Sequence, residues 1–307
     1  MRKTFFTLAL STMAFLASSS GTAQNAHHLP KPERMRVKPL LTSLMPVSKT
    51  VSRGIVRGPV RPVEANVTLW GNLRVDGEWG YYAFAPTSPM TFTPLGKMAQ
   101  RVGKNGVQVA DGKLYAVDFS RYGVGSGELT LYTYDTDTWE GSSKSYDDFS
   151  LAALETAQAS DGTVYGEFYN SVASNKQYEL GTVDYRTCKR TTFGTTTRRY
   201  VAMGVTSAGL LYGIAADGNL YQISTSDGTE TLVGPTGVGL VDDWGGPYDQ
   251  TGEIDPKSDT FYWYAQDYDY NTALYTVDLT TGAATKIADA NYTVYGMLVA
   301  PAKTSSD

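Results

Sequence analysis

Asp111-Gly112-Lys113-Leu114-Tyr115-Ala116 decides the reading of this 307-residue chain. An Asp-Gly pair followed by an apolar, an aromatic and a small residue predicts a tight turn feeding a β-strand. The triplet returns as Leu69-Trp70-Gly71, Val164-Tyr165-Gly166 and Leu211-Tyr212-Gly213, with a looser copy at Phe261-Tyr262-Trp263. Its aromatic positions, 70, 115, 165, 212 and 262, stand 45, 50, 47 and 50 residues apart. Turn signals precede the later copies at Asp161-Gly162, Ala208-Gly209 and Ser258-Asp259.

A second alternating motif follows each later copy: Leu131-Tyr132-Thr133-Tyr134-Asp135, Leu180-Gly181-Thr182-Val183-Asp184, Leu220-Tyr221-Gln222-Ile223-Ser224 and Leu274-Tyr275-Thr276-Val277-Asp278. Apolar–polar alternation predicts strands. Further short strands are expected upstream at 107–110, 156–159, 201–206 and 252–255, and downstream at 140–146, 188–193, 229–233 and 283–287. Four strands per unit at this period predict an all-β chain, a β-propeller whose blades stack because no blade buries both faces alone. The aromatic of the triplet is expected to pack blade on blade, with the small residue beside it admitting the neighbouring sheet.

The ends of the repeat give the count. The first copy starts at Leu69 with no inner strand before it and continues through 80–85 and 91–95, whereas 293–299 is an inner strand with nothing after it. Pairing the two closes a five-bladed ring and removes two free edges. Six blades, one of them poorly matched, is the alternative.

Outside the repeat the composition changes. Residues 1–23 carry Arg2 and Lys3, an apolar run from Phe5 to Ala17 and small residues to Ala23, the layout of a secretory signal peptide cut before Gln24. Residues 24–65 hold eight basic and two acidic side chains among prolines 30, 32, 39, 46, 59 and 62, and read as a basic, disordered linker. The propeller is expected over 66–300, with a tail at 301–307. Whether the chain is cut from something longer stays open.

Removing +2 for residues 1–23 and +6 for residues 24–65 from the net −5 leaves −13 on the remainder, where all 22 tyrosines lie. That charge argues against nucleic acid as a partner. One cysteine excludes a disulfide scaffold, and the two histidines, His27 and His28, precede the repeat, which removes histidine-based catalysis from it. Cys188 therefore reads as a small, half-buried residue.

The Asp111–Ala116 motif and the run Leu274-Tyr275-Thr276-Val277-Asp278-Leu279-Thr280-Thr281-Gly282 resemble repeats of the bacterial quinoprotein-like and WD-repeat-like propellers, over roughly residues 66–300. The resemblance implies a secreted or cell-surface bacterial module. It implies no activity, since such rings host many functions, and no quinone-docking tryptophan pattern is present. In such rings ligands meet the face built by loops between second and third strands, here 118–128, 167–177, 215–219 and 266–272, and by loops between blades, here 141–150, 194–200 and 234–250.

The richest of these is Gly239-Leu240-Val241-Asp242-Asp243-Trp244-Gly245-Gly246-Pro247-Tyr248-Asp249, opposite Gln266-Asp267-Tyr268-Asp269-Tyr270-Asn271. Asp242, Asp243, Trp244, Tyr248, Asp267 and Tyr268 are the candidate ligand-binding residues: ring faces suit sugar C–H faces or basic side chains, and carboxylates accept hydroxyls. Trp244 as a plug in the ring, with solvated aspartates, is the plainer alternative. Arg198 and Arg199 read as a solvated pair that could otherwise clamp an anion.

Asp267-x-Asp269-x-Asn271 imitates the start of a calcium loop, but Thr272 stands where that loop needs glycine, so calcium is a possibility and no cofactor is expected. The expected function is a secreted or cell-surface binding or adhesion module for an extracellular glycan or peptide. The alternatives are a glycan-active hydrolase, which five-bladed propellers include, or a purely structural module. A hydrolase needs carboxylates converging in the channel. Only the fourth inner strand supplies them, Glu253 and Asp255, with Glu155 just before the second, so the reading leans away from an enzyme.

Overall fold

In a computed structural model the described residues are 66–98, 105–123, 126–147, 149–169, 177–240 and 250–301. The proposed signal peptide, the linker and Asp242, Asp243, Trp244 and Tyr248 lie outside them. Among the described residues twenty strands form five four-stranded antiparallel sheets. The first is β20 (Tyr295–Val299), β1 (Leu69–Val75), β2 (Glu78–Phe84) and β3 (Thr93–Met98); the second β4 (Val107–Ala110), β5 (Lys113–Gly123), β6 (Ser126–Asp135) and β7 (Gly141–Tyr146). The third is β8 (Ala153–Gln158), β9 (Val164–Tyr169), β10 (Tyr178–Asp184) and β11 (Lys189–Thr196). The fourth is β12 (Tyr200–Val205), β13 (Leu211–Ala215), β14 (Asn219–Ile223) and β15 (Glu230–Pro235), and the fifth β16 (Thr251–Asp255), β17 (Thr260–Gln266), β18 (Thr272–Val277) and β19 (Ala284–Ala290).

The chain is a five-bladed β-propeller, closed as its ends require. β20 pairs with β1, Leu69 opposite Val299 and Trp70 opposite Leu298, and Ala300 N donates to Thr68 O at 2.8 Å. The core is correspondingly divided into five seams. Tyr81 and Leu298 of blade 1 pack with Leu114 of blade 2. Leu129 and Leu131 meet Phe168 and Val183, Leu180 meets Met203 and Tyr221, Ile214 and Leu220 meet Ile254 and Trp263, and Tyr264 returns to Leu69 and Phe84 of blade 1. Each sheet is apolar on both faces because each face is half of a seam.

The turn chemistry accounts for the repeat. Asp111 and Gly112 both have positive φ (53° and 68°), as do Asp76 and Gly77 (50° and 89°), the two-residue hairpin turn that Asp-Gly favours. The aspartate ending the second motif caps the next turn: Asp278 Oδ1 accepts Thr280 N (2.7 Å) and Thr281 N (3.2 Å), and Asp135 Oδ1 accepts Asp137 N (3.0 Å) and Thr138 N (2.9 Å). The hydroxyl of Thr280 with these backbone donors holds Asp278 below the ordinary carboxylate range. These aspartates shape turns.

Two expectations are corrected. The small residue of the triplet makes room mainly inside its own blade: a Cβ on Gly213 would lie 2.4 Å from the Tyr200 ring of its own inner strand. Close approach between blades falls instead to glycines of inner strands, where a Cβ on Gly204 would lie 2.5 Å from Ile254 and one on Gly252 2.7 Å from Ala202. The stretch 118–128 is also less loop than expected, while the strand expected at 140–146 is present. β5 and β6 run on as a hairpin from Asp118 opposite Thr130 to Gly123 opposite Ser126, and β7 occupies Gly141–Tyr146. Phe119 on that hairpin packs edge-on to Phe149 (5.4 Å) and Tyr169 (5.7 Å), and this apolar contact extends the strands past the blade.

A motif unseen in the sequence reading organises the outer strands. In β3, β11, β15 and β19 the register slips by one residue, leaving Leu95, Phe193, Val233 and Ile287 as bulges. Each bulged side chain is half-buried in a seam core. The small residue after the bulge lies under the next blade's turn: a Cβ on Gly194 would meet Gly228 Cα at 2.7 Å, and one on Gly234 would meet Thr281 O at 2.2 Å.

Candidate functional site

Loops between second and third strands and loops between blades share one face, where two polar constellations lie. The outer one is built on blade 5. Residues 267–271 close β17 onto β18, with Asp267 N donating to Asn271 O (3.0 Å) and Tyr270 N to Asp267 O (3.0 Å). The Asp267 carboxylate ties the loop together, Oδ1 accepting Asp269 N and Asn271 N at 2.9 Å each and Oδ2 accepting Asn271 Nδ2 at 3.1 Å. Burial alone would raise this carboxyl, but the donors from Asn271 and Asp269 outweigh it and hold it below the ordinary range. The arrangement that imitates a calcium loop is thus a turn whose first carboxylate is already engaged. Among the described residues no group of three or more His, Cys, Asp or Glu side chains is placed to hold a metal ion.

The tight loop turns its tyrosines outward. Tyr270 sits at φ 63°, and Tyr268 and Tyr270 are 59% and 64% exposed. Isolated exposed aromatics are ordinary; here two stand on one five-residue loop. A cleft of about 430 Å³ opens beside them, edged by Asp267, Tyr270, Asn271, Asp289, Asn291 and Tyr292. Lys286 Nζ, 2.7 Å from Asp289 Oδ1, crosses its rim. A Cβ on Gly239 would lie 2.8 Å from the Tyr268 ring, so the interblade loop leading to Asp242, Asp243 and Trp244 touches this loop where it leaves the described residues.

The inner constellation lies on the axis. Glu155 is the third residue of β8, so it belongs to an inner strand, a correction to its placement just before one. It is fully buried, as are Glu253 on β16 and Glu167, which stands directly opposite Glu155 on β9. Thr251 Oγ1 donates to Glu155 Oε1 (3.5 Å), and Glu155 Oε2 has no hydrogen-bond partner among the described residues. Tyr200 N donates to Glu167 Oε2 (3.0 Å), and Ile254 N to Glu253 Oε1 (3.1 Å). Burial raises all three carboxyls well above the ordinary range. For Glu155, a hydrogen bond from Asn105 opposes that rise, and the nearby charges of Glu253 and Glu167 add to it.

Asn105 links the blades around this axis. Its Nδ2 donates to Gln250 O at the head of blade 5 (2.5 Å), and its Oδ1 accepts Gly296 N of blade 1 (2.7 Å). It also bridges to Glu155 of blade 3 as an isolated parallel pair. Further down, Gln158 pairs with the backbone of Val109 through both amide atoms, Oε1 accepting Val109 N (2.8 Å) and Nε2 donating to Val109 O (2.7 Å). A side chain thereby stands in for a strand along the free edge of β4.

Sequence reasoning missed Asn105 and Glu167. Asn105 precedes a strand and carries no motif. Glu167 falls at the start of a stretch read as loop, although a lone acid inside Val164-Tyr165-Gly166-Glu167-Phe168-Tyr169 marks a buried charge. Arg198 is engaged within the chain, Nη1 lying 2.6 Å from Glu230 Oε2 and the guanidinium 4.4 Å from the Tyr221 ring centre. Cys188 is half-buried, its thiol 3.4 Å from Tyr146 Oη.

No family model matches the sequence, and no curated protein matches it. Solved structures do. TolB from Acinetobacter baumannii is 11% identical, with 73% of this chain and 53% of TolB covered at a TM-score of 0.43. The chain thus spans about half the length of TolB. The periplasmic gluconolactonase of Pseudomonas aeruginosa is 10% identical (73% and 83% covered, TM-score 0.40). An exo-β-1,3-galactanase from Phanerochaete chrysosporium, solved with β-1,3-galactotriose, is 13% identical (73% and 66% covered, TM-score 0.41). What they share with this chain is the propeller fold. Among the described residues no helix is long and apolar enough to cross a membrane.

Proposed function

We propose that this chain is a secreted, periplasmic or cell-surface binding module of the quinoprotein-like/WD-repeat-like kind, which presents aromatic-acidic loops to an extracellular glycan or peptide. Residues 1–23 act as the signal peptide, 24–65 as the linker, 66–300 as the propeller and 301–307 as the tail. Asp267, Tyr268 and Tyr270 form the described part of the site, and Asp242, Asp243, Trp244 and Tyr248 complete it. The observation that carries this reading is the pair of outward tyrosines beside the cleft of blade 5. Ring faces stack on sugar C–H faces or basic side chains, while Asp289 and Asn291 accept and donate at the edges.

The test uses the full chain on a glycan array and a panel of basic peptides. Tyr270→Ala with Tyr268→Ala removes two rings that fill no core. The expected result is a loss of affinity of about tenfold or more, the scale of an aromatic anchor, with an unchanged circular dichroism spectrum. Undiminished binding by the double variant sinks the site.

The axial carboxylates favour a second reading, a glycan-active hydrolase, because paired acids are what glycosidic cleavage requires. Release of reducing sugar that Glu155→Gln and Glu253→Gln abolish supports it; release unaffected by either removes these residues from the reaction.

A further inference from the structure

Four of the five outer strands carry a bulge, and β7 does not. Its six residues pair with β6 without a slip, from Leu129 opposite Tyr146 to Tyr134 opposite Gly141. Bulges, prolines and charges are how folded proteins spoil an outer edge for pairing. Besides its bulge, β3 has Pro94, β11 has Lys189 and Arg190, β15 has Glu230 and Pro235, and β19 has Lys286 and Asp289. β7 reads Gly141-Ser142-Ser143-Lys144-Ser145-Tyr146, with one charge, and its first five residues are exposed. Among the described residues no strand pairs with its outer side.

The register fixes which backbone groups face out. Asp135 N donates to Glu140 O at 3.0 Å, so that pair is hydrogen-bonded, and by the alternation of an antiparallel ladder so are those of Ser142, Lys144 and Tyr146. The N–H and C=O groups of Gly141, Ser143 and Ser145 therefore point away from the blade. An incoming antiparallel strand must present its own outward set to these three.

We propose that β7 is a strand-pairing surface, and that its partner is β7 of a second copy of this chain. The strand is complementary to itself about a two-fold axis through Ser143. Ser143 then faces Ser143 of the other copy, Gly141 faces Ser145, Lys144 faces Ser142, and Tyr146 faces Glu140. No like charges meet, and the small side chains let the edges close. The register shifted by one pair toward Ser145 would oppose Lys144 to itself, so the charge selects between registers. Such an isologous contact joins two four-stranded blades into one eight-stranded sheet.

Sedimentation velocity on the full chain tests this. The wild type is expected to sediment as a dimer that dissociates on dilution. Ser143→Pro deletes an outward N–H that β6 does not use, and is expected to raise the dissociation constant at least tenfold while the melting temperature holds. Backbone hydrogen exchange covers the case of a variant that misfolds. In the wild type, Ser143 and Ser145 amides should gain protection with protein concentration, whereas Ser142 and Lys144 are protected throughout. A wild type that stays monomeric at millimolar concentration, a dimer indifferent to Ser143→Pro, concentration-independent exchange at Ser143, or an edge that takes only a foreign peptide strand each overturns the proposal.

Discussion

Asn105→Ala is expected to lower the free energy of unfolding by about 3–5 kcal/mol. The side chain satisfies Gln250 O and Gly296 N, both at the buried axis, and supports Glu155. Alanine removes both hydrogen bonds at buried positions, and each partner lost there costs roughly 1–3 kcal/mol. Because the amide joins inner segments of four blades, the loss falls on closure as a whole, so denaturant unfolding should remain a single transition with a lower midpoint. Asn105→Asp keeps the acceptor for Gly296 but loses the donor and sets a charge beside Glu155, so it should be worst at high pH. A change below 1 kcal/mol for the alanine variant would show that the axis does not depend on this side chain.

Stability is expected to fall as pH rises from 5 to 8.5. The sign follows from three buried carboxyls, Glu155, Glu167 and Glu253, each raised by burial. A carboxyl raised in the folded state contributes stability that is fully present below its unfolded value of about 4.3, and this is lost as pH climbs through the folded one. The usual surface aspartates act oppositely. Asp278, held low by Thr280 and Thr281, loses its contribution only as pH falls below about 4. Glu155→Gln keeps the shape of the side chain and removes one titration. It is expected to be no more stable than wild type at pH 5 and more stable at pH 8.5. Urea midpoints across this range decide it, and parallel profiles for the two proteins would place the pH dependence elsewhere.

The fold was legible where local chemistry repeats. Asp-Gly turns, the apolar–aromatic–small triplet and the aspartate closing the third strand recur because every blade solves the same turn problem, and the unpaired strand at each end follows from counting them. Less was legible where tertiary packing overrides local preference. The stretches 118–123 and 126–128 hold polar residues and glycines, yet become strand, with Phe119 against Phe149 and Tyr169 across the seam. The bulges of β3, β11, β15 and β19 were hidden because a one-residue slip leaves the alternation intact on either side of an apolar residue followed by a small one. For the proposed site, the turn at Asp267 was legible because its loop bears its turn chemistry openly. The sequence reading undercounted the buried acids because a three-residue error at the start of β8 placed Glu155 outside the strand.

Ring closure by the last strand on the first is the claim on which the seams, the axis and the shared loop face depend. Thr68 and Ala300 lie at that junction, joined by a backbone hydrogen bond of 2.8 Å, which places their Cα atoms within the roughly 4.4–6.8 Å a disulfide spans. Thr68→Cys with Ala300→Cys, in a chain whose one cysteine is removed by Cys188→Ser, should oxidise to an intramolecular disulfide in full under mild conditions and raise the melting temperature. Failure to cross-link within the folded chain, or cross-linking only between chains, would contradict a closed five-bladed ring.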